Sequence, residues 1–230
     1  MKATILVSLL SATALAGSGQ RNINPALREE LSHVLAADQG IREYLVGNPT
    51  ELRRDTLSEL LQIPKDSLNR YGWMIMQDID RKNTERVERI IARYGYPGKS
   101  IVGEPANTAV FFVIQHSSKI HQYLPLIEQA AKNDELPFKY YAMMLDRKLS
   151  NEGKEQIYGT QVSVKEITDP STGSKKKFQY VVPIKDARNV NARRKEAGFD
   201  TTVEENAIRL GTIYRPYTYQ ELEKITGEKK

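Results

Sequence analysis

The feature that most constrains the fold is a change of hydrophobic pattern near Gly153. Before this residue, apolar side chains recur every three or four positions, which is typical of amphipathic helices that pack on a core. After it, apolar and polar residues alternate in two short segments, which indicates a β-hairpin. The alternating apolar residues are Val162, Val164 and Ile167, then Phe178, Tyr180 and Val182. We therefore predict an α+β protein that is mainly helical, with a small antiparallel β-hairpin or sheet in its C-terminal third.

Caps and spacing predict where the helices begin and end. Asn24-Pro25 is a typical helix start, with the asparagine as N-cap and the proline in the first turn, and this helix continues or restarts over 38–46. Asn83 is the expected N-cap of a helix over 84–94. Residues 108–114 are apolar on every side, a pattern shared by buried helices and buried strands, but the preceding segment 103–107 resembles a helix entry, and this entry and the small Ala106 and Ala109 favour a helix. Further helices are predicted over 52–61, 66–80, 118–132, 137–149, 190–197, 203–210 and 219–225.

The first residues are predicted to be a targeting segment. Lys2 precedes an apolar stretch that ends in Ala14-Leu15-Ala16, the small-x-small pattern of a secretory cleavage site. This stretch is shorter than the ~20 residues that a transmembrane helix needs. We therefore predict a cleaved signal peptide over 1–16, a single mature domain over 17–230, and a periplasmic or secreted location. The alternative is an uncleaved N-terminal helix of a cytosolic protein, but the polar run that follows favours export.

Composition excludes several classes of function. The chain has no cysteine, so disulfides, thiolate nucleophiles, cysteine-bound zinc and a lipid-anchored cysteine are excluded. The formal net charge of +5 is mixed along the sequence and is too small to predict a nucleic-acid partner. His116 and His121 are five positions apart and do not share a helical face, and no glycine-rich phosphate loop is present. We therefore predict neither a metal nor a cofactor.

Three short polar clusters interrupt or close apolar segments and are the candidates for a functional site. They carry imidazole, carboxylate, guanidinium, phenol and carboxamide groups, which are the groups that move a proton or bind an anion. We predict that the clusters form one site in which His116 and Asp146 are catalytic. The predicted substrate-binding residues are Gln115, Arg147, Tyr158, Thr160 and Gln161.

Each of these residues also has a structural interpretation. His116 lies at the rim of the core, either as a general base or as a donor to a backbone carbonyl. Asp146 either orients His116 or caps a loop. Arg147 either binds a carboxylate or phosphate, or pairs with a carboxylate such as Asp78. Gly159 marks a bulge in a strand or relieves packing against the preceding helix.

An ordered series of short motifs extends over most of the chain. The series is Asp38-Gln39 with Arg42, Asp78, Asn83, Gly95-Tyr96-Pro97-Gly98-Lys99-Ser100, Val102-Gly103, Gln115-His116, Tyr123-Leu124-Pro125, Asp146-Arg147, Gln156 and Tyr158-Gly159-Thr160-Gln161. It resembles the motif series of a bacterial domain family of unknown function over about residues 38–198. The family often has tryptophan in place of Tyr96. The resemblance implies no activity, but it implies that these polar positions belong to one recurring pattern.

Two functions from different classes remain. The first is an exported hydrolase or lyase that uses a His-Asp-Arg polar site on a small substrate. The second is a noncatalytic envelope module that binds an anionic or peptide ligand. Catalysis predicts that His116 is reachable by solvent and close to Asp146, whereas a structural network predicts that it is sealed in. The sequence leaves the ligand and the oligomeric state open.

Overall fold

A computed structural model describes residues 23–168, 171 and 173–227. Within these residues the chain forms ten helices and one two-stranded antiparallel sheet, which confirms the mainly helical α+β prediction. None of the helices in the described ranges is long and apolar enough to cross a membrane. The predicted signal peptide and part of the predicted hairpin turn lie outside the described residues.

Three helices form the N-terminal part: α1 over Pro25–Val46, α2 over Glu51–Leu61 and α3 over Lys65–Tyr94. The predicted cap of α1 is confirmed, because the side chain of Asn24 accepts a hydrogen bond from the backbone N–H of Leu27 at 3.0 Å. Both α2 and α3 pack against α1.

The prediction of two separate helices within 66–94 is wrong, because α3 is continuous through Asn83. No glycine or proline stands between residues 80 and 84 to interrupt it. Asn83 is buried, and its carboxamide donates to the carbonyl of Val34 on α1 at 3.5 Å. The side chain expected to cap a helix is therefore used to pack α3 against α1.

Four helices follow: α4 over Lys99–Val102, α5 over Ala109–Gln115, α6 over Ile120–Lys132 and α7 over Phe138–Asn151. The helix prediction for residues 108–114 is confirmed over most of that segment. Because α5 contacts α1, α3, α6 and α7, each of its faces meets apolar neighbours, which explains its lack of a polar side. This central helix ends at the polar pair Gln115-His116.

The C-terminal part begins with the predicted hairpin. Strand β1, Val162–Thr168, pairs antiparallel with β2, Lys175–Val181. Three short helices follow, α8 over Val190–Glu196, α9 over Val203–Arg209 and α10 over Tyr219–Thr226. A small core joins the hairpin to α8 and α9, and it is formed by Val181, Ile184, Val190, Val203 and Ala207.

Candidate functional site

The end of α5 places His116 against a buried carboxylate on α1. His116 Nδ1 lies 3.3 Å from Asp38 Oδ1, and 18% of the histidine side chain remains exposed. Asp38 itself is buried. When Nδ1–H donates to a carboxylate, the ring keeps Nε2 as its proton acceptor. The ring is therefore oriented on one side and reachable by solvent.

Arg42 compensates the charge of Asp38 and connects it to α3. Its Nη1 donates to the carbonyl oxygen and to Oδ1 of Asp38, at 2.9 and 3.2 Å. Its Nη2 donates to both carboxylate oxygens of Asp80, at 2.8 and 2.9 Å. Gln39 Nε2 completes the shell by donating to Asp38 Oδ2 at 2.6 Å. A buried carboxylate requires such partners. Asp38, Arg42, Asp80 and His116 are called the histidine network below.

No catalytic or binding role was predicted for Asp38, Arg42 or Asp80, although the sequence contains a signal for the first two. Asp38 falls within the buried stripe of α1, which otherwise has apolar residues at this spacing, and Arg42 follows four positions later. A carboxylate in an apolar stripe is a candidate buried charge, and the spacing of four is that of an ion pair on one helix. Asp80 lacks this signal because its partner is on another helix.

Asp146 binds the loop over residues 157–160. Its Oδ1 accepts from the backbone N–H of Ile157 at 2.7 Å and of Tyr158 at 3.1 Å. Its Oδ2 accepts from both the backbone N–H and the hydroxyl of Thr160 at 3.0 Å. Burial raises the pKa of Asp146, and the hydrogen bonds from the loop oppose that rise. The structure thus shows the loop-capping interpretation of Asp146, and His116 has Asp38 as its carboxylate partner instead.

The other polar residues of this segment connect the same loop to the hairpin. Gln161 Nε2 donates to the hydroxyl of Thr160 at 2.9 Å. Gln156 is fully buried, accepts from the backbone N–H of Gln161 at 2.9 Å, and donates to the carbonyls of Gln161 and Val182. Thr160 and Gln161 therefore face partners within their own segment, which joins α7 to the sheet.

Tyr158 lines a surface hollow of about 340 Å³ together with Phe138, Arg193, Glu196 and Ala197. No member of the histidine network lines this hollow. The structure therefore separates the predicted site residues into two groups, and it does not place Tyr158 with His116.

Gly159 allows the loop to pass close to α9. It has a φ of +69°, and an added Cβ would lie 2.6 Å from Val203 Cγ2 and 2.8 Å from Ile184 Cδ1.

We expect Gly159→Ala to lower the free energy of unfolding by about 2–3 kcal/mol, because backbone strain and overpacking add. Urea unfolding measures this loss. In the control Gly198→Ala, φ is also positive, at +80°, but nothing lies within 4 Å of the added Cβ, so only strain remains. Equal losses in the two variants would contradict the packing argument.

Within the described part of the chain, Gln115 and Arg147 are predicted site residues whose side chains make no hydrogen bond. Gln115 is buried, and Arg147 is half-buried with a buried Nε that has no partner. Burial lowers the pKa of Arg147, and the positive charge of Arg42 lowers it further. The two guanidinium groups therefore lie within electrostatic range of each other. Asp78, its expected partner, pairs with two basic residues of its own helix.

In the described ranges, no group of three or more histidine, aspartate or glutamate side chains is arranged to bind a metal ion. A separate groove of about 830 Å³ lies between α1, α2 and α3. Its lining is mainly apolar and includes Leu60, Leu61, Ile63, Met74, Ile75 and Ile79. None of the predicted site residues lines this groove.

Comparison with protein families matches residues 25–215 to a family of unknown function, DUF6624. The matched region includes the whole histidine network and the loop that Asp146 binds. No curated protein and no solved structure matches the chain. Because the match covers most of the sequence, the chain belongs to DUF6624, a family whose function is unknown.

Proposed function

We propose that the chain is a hydrolase or lyase in which His116 acts as the general base. The contact between His116 Nδ1 and the buried Asp38, on a ring that stays partly exposed, carries this proposal. This ring combines orientation with access, and both are needed for proton transfer.

Asp38 and Arg42 have positioning roles in this proposal. Nε2 of His116 accepts a proton from water in hydrolysis, or from a carbon acid in elimination, and returns it to the leaving group. The ring becomes positively charged during this transfer, and the carboxylate of Asp38 stabilises that charge. Arg42 fixes the carboxylate by donating to it while also binding Asp80. The His-Asp-Arg combination is therefore His116, Asp38 and Arg42.

The second candidate is a noncatalytic module that binds an anionic ligand, and the unpartnered guanidinium of Arg147 favours it. Such a module needs the positive charge but no proton acceptor. We also propose, for either function, that the chain is exported, because its first residues have the composition of a secretory signal.

A survey of hydrolysable and eliminable substrates tests the catalytic proposal. Wild-type protein and His116→Gln are incubated with esters, amides, glycosides and phosphate esters derived from the bacterial envelope. Turnover by the wild type that the variant lacks supports the proposal. Equal turnover by both proteins contradicts it. Ligand binding without turnover of any substrate would favour the noncatalytic module.

The Asp38→Asn variant tests the orienting role of this carboxylate. The amide keeps the shape but removes the negative charge and turns an N–H towards the ring, which favours the wrong tautomer. We expect kcat to fall about tenfold to a hundredfold with KM little changed. This loss is smaller than the full effect of removing a general base, because the imidazole itself remains. Asp80→Asn is the control, because Asp80 binds the same Arg42 without a hydrogen bond to His116. Equal losses would assign the effect to Arg42 rather than to the contact between Asp38 and His116.

A further inference from the structure

Arg147 has a positive charge that the described part of the chain does not pair. It has no ion pair and no hydrogen bond to a described residue, and its Nε is buried without a partner. Taking a guanidinium out of water is costly unless hydrogen bonds or a negative charge compensate for it. The folded chain therefore places a strong anion receptor in a partly buried position and leaves it free.

A second buried arginine shows how this fold satisfies such a group when its role is structural. Arg194 Nε donates to the carbonyl of Thr201 at 2.8 Å, Nη1 donates to the carbonyl of Tyr158 at 2.8 Å, and Nη2 donates to the hydroxyl of Thr201 at 3.0 Å. Its guanidinium also lies over the ring of Phe199. Arg147 has no such set within the described residues, so the same structural explanation does not apply to it.

The neighbouring carboxylates do not provide the missing partner. Arg42 already binds Asp38 and both oxygens of Asp80. Asp146, next to Arg147 in sequence, accepts its hydrogen bonds from the 157–160 loop. Because Asp38 and Asp80 compensate the charge of Arg42, the charge of Arg147 is the one left for an added anion.

We infer that Arg147 binds an oxyanion, a carboxylate or a phosphate, of the substrate or ligand of this chain. A guanidinium presents parallel N–H groups that match two oxygens of either anion. The inference extends the proposed function by naming its substrate class: small molecules that carry an oxyanion. The inference rests on the proposed function only for the reaction, because anion binding by Arg147 does not need His116 as a base.

Calorimetric titration of the full chain at low ionic strength tests the subsite with two probes, inorganic phosphate and acetate. We expect saturable binding of at least one probe to the wild type. Arg147→Gln should weaken that affinity by at least about tenfold, the size of one charge-assisted contact. Arg147→Lys keeps the positive charge but loses the two parallel N–H donors of the guanidinium, so its affinity should lie between those of the wild type and Arg147→Gln. Preference for phosphate or for acetate tells the two sources of the oxyanion apart.

The matched control is Arg188→Gln, which removes one positive charge from an exposed position in another part of the chain. It should leave the affinity unchanged. Failure of both probes to saturate the wild type overturns the inference. Equal affinity of the wild type and Arg147→Gln also overturns it. If Arg147→Gln does not fold, the test relies on Arg147→Lys. An affinity of Arg147→Lys equal to that of the wild type would then count against bidentate binding of the anion by the guanidinium.

The same titration with His116→Gln separates this inference from the proposed function. If His116→Gln still binds the anion and the wild type turns over no substrate, the oxyanion subsite is supported and the noncatalytic binding module is the function that remains. Conversely, if turnover depends on His116 but neither probe binds through Arg147, catalysis stands and the oxyanion subsite fails.

Discussion

Replacing Asp146 with alanine should lower the free energy of unfolding by about 3–5 kcal/mol, because a buried charged acceptor with several donors is lost. Three backbone N–H groups, of Ile157, Tyr158 and Thr160, donate to this carboxylate, together with the Thr160 hydroxyl. In Asp146→Ala these N–H groups and the hydroxyl would lose their acceptor and remain partly buried without a hydrogen bond. The loop also connects α7 to the hairpin, so its loss weakens the contact between the helical core and the C-terminal part.

Urea unfolding monitored by circular dichroism measures this effect. Asp200→Ala is the matched control, because Asp200 is exposed and its nearest cation, Lys139 Nζ, is 3.4 Å away. A surface change of this kind should stay within about 0.5 kcal/mol of the wild type. A loss below about 1 kcal/mol for Asp146→Ala would show that the loop finds other acceptors, and would remove the structural role assigned to this residue.

Replacing His116 with glutamine should lower kcat/KM by about 10²–10⁴-fold on any substrate that the wild type turns over, the usual contribution of a general base. Glutamine keeps a polar group of similar reach towards Asp38 but cannot accept and return a proton at neutral pH.

His121→Gln is the control for this substitution. His121 is exposed, and its Nδ1 lies 3.5 Å from Glu152 in a surface contact. Its replacement should leave kcat/KM within about twofold, since exposed ion pairs contribute little. A kcat/KM of His116→Gln equal to that of the wild type would exclude His116 as the base. Unfolding curves of both variants verify that any loss of activity is not a loss of fold.

Much of the fold follows from local sequence patterns, because most of the helices and the hairpin have their signals within a few residues. The N-cap at Asn24, the apolar segment that became α5 and the alternation in β1 and β2 are examples. Asn83 shows the limit of such reasoning. A residue favourable as a cap is also favourable as a buried donor, and the choice depended on Val34, 49 positions earlier in the chain.

The candidate site was harder to predict because its contacts are distant in sequence. His116 was expected to use Asp146, but its carboxylate partner is Asp38, 78 positions away. Nothing local to His116 identifies that partner. The break in the apolar stripe of α1 could have done so, since only a partnered carboxylate is tolerated at such a position. The motif series contained Asp38 and Arg42, but membership of a series does not show which members touch.

Asp146 and Arg147 are consecutive residues of α7, and their side chains serve different parts of the molecule. The first is fixed by the loop, and the second lies within electrostatic range of Arg42. Rotating or sliding α7 to move Arg147 would break the hydrogen bonds of Asp146. If Arg147 binds the proposed oxyanion, folding has already ordered the backbone of its binding site, so binding does not include the entropy cost of ordering that backbone. In that proposal, ligand binding and the stability of the C-terminal part depend on the same turn of α7.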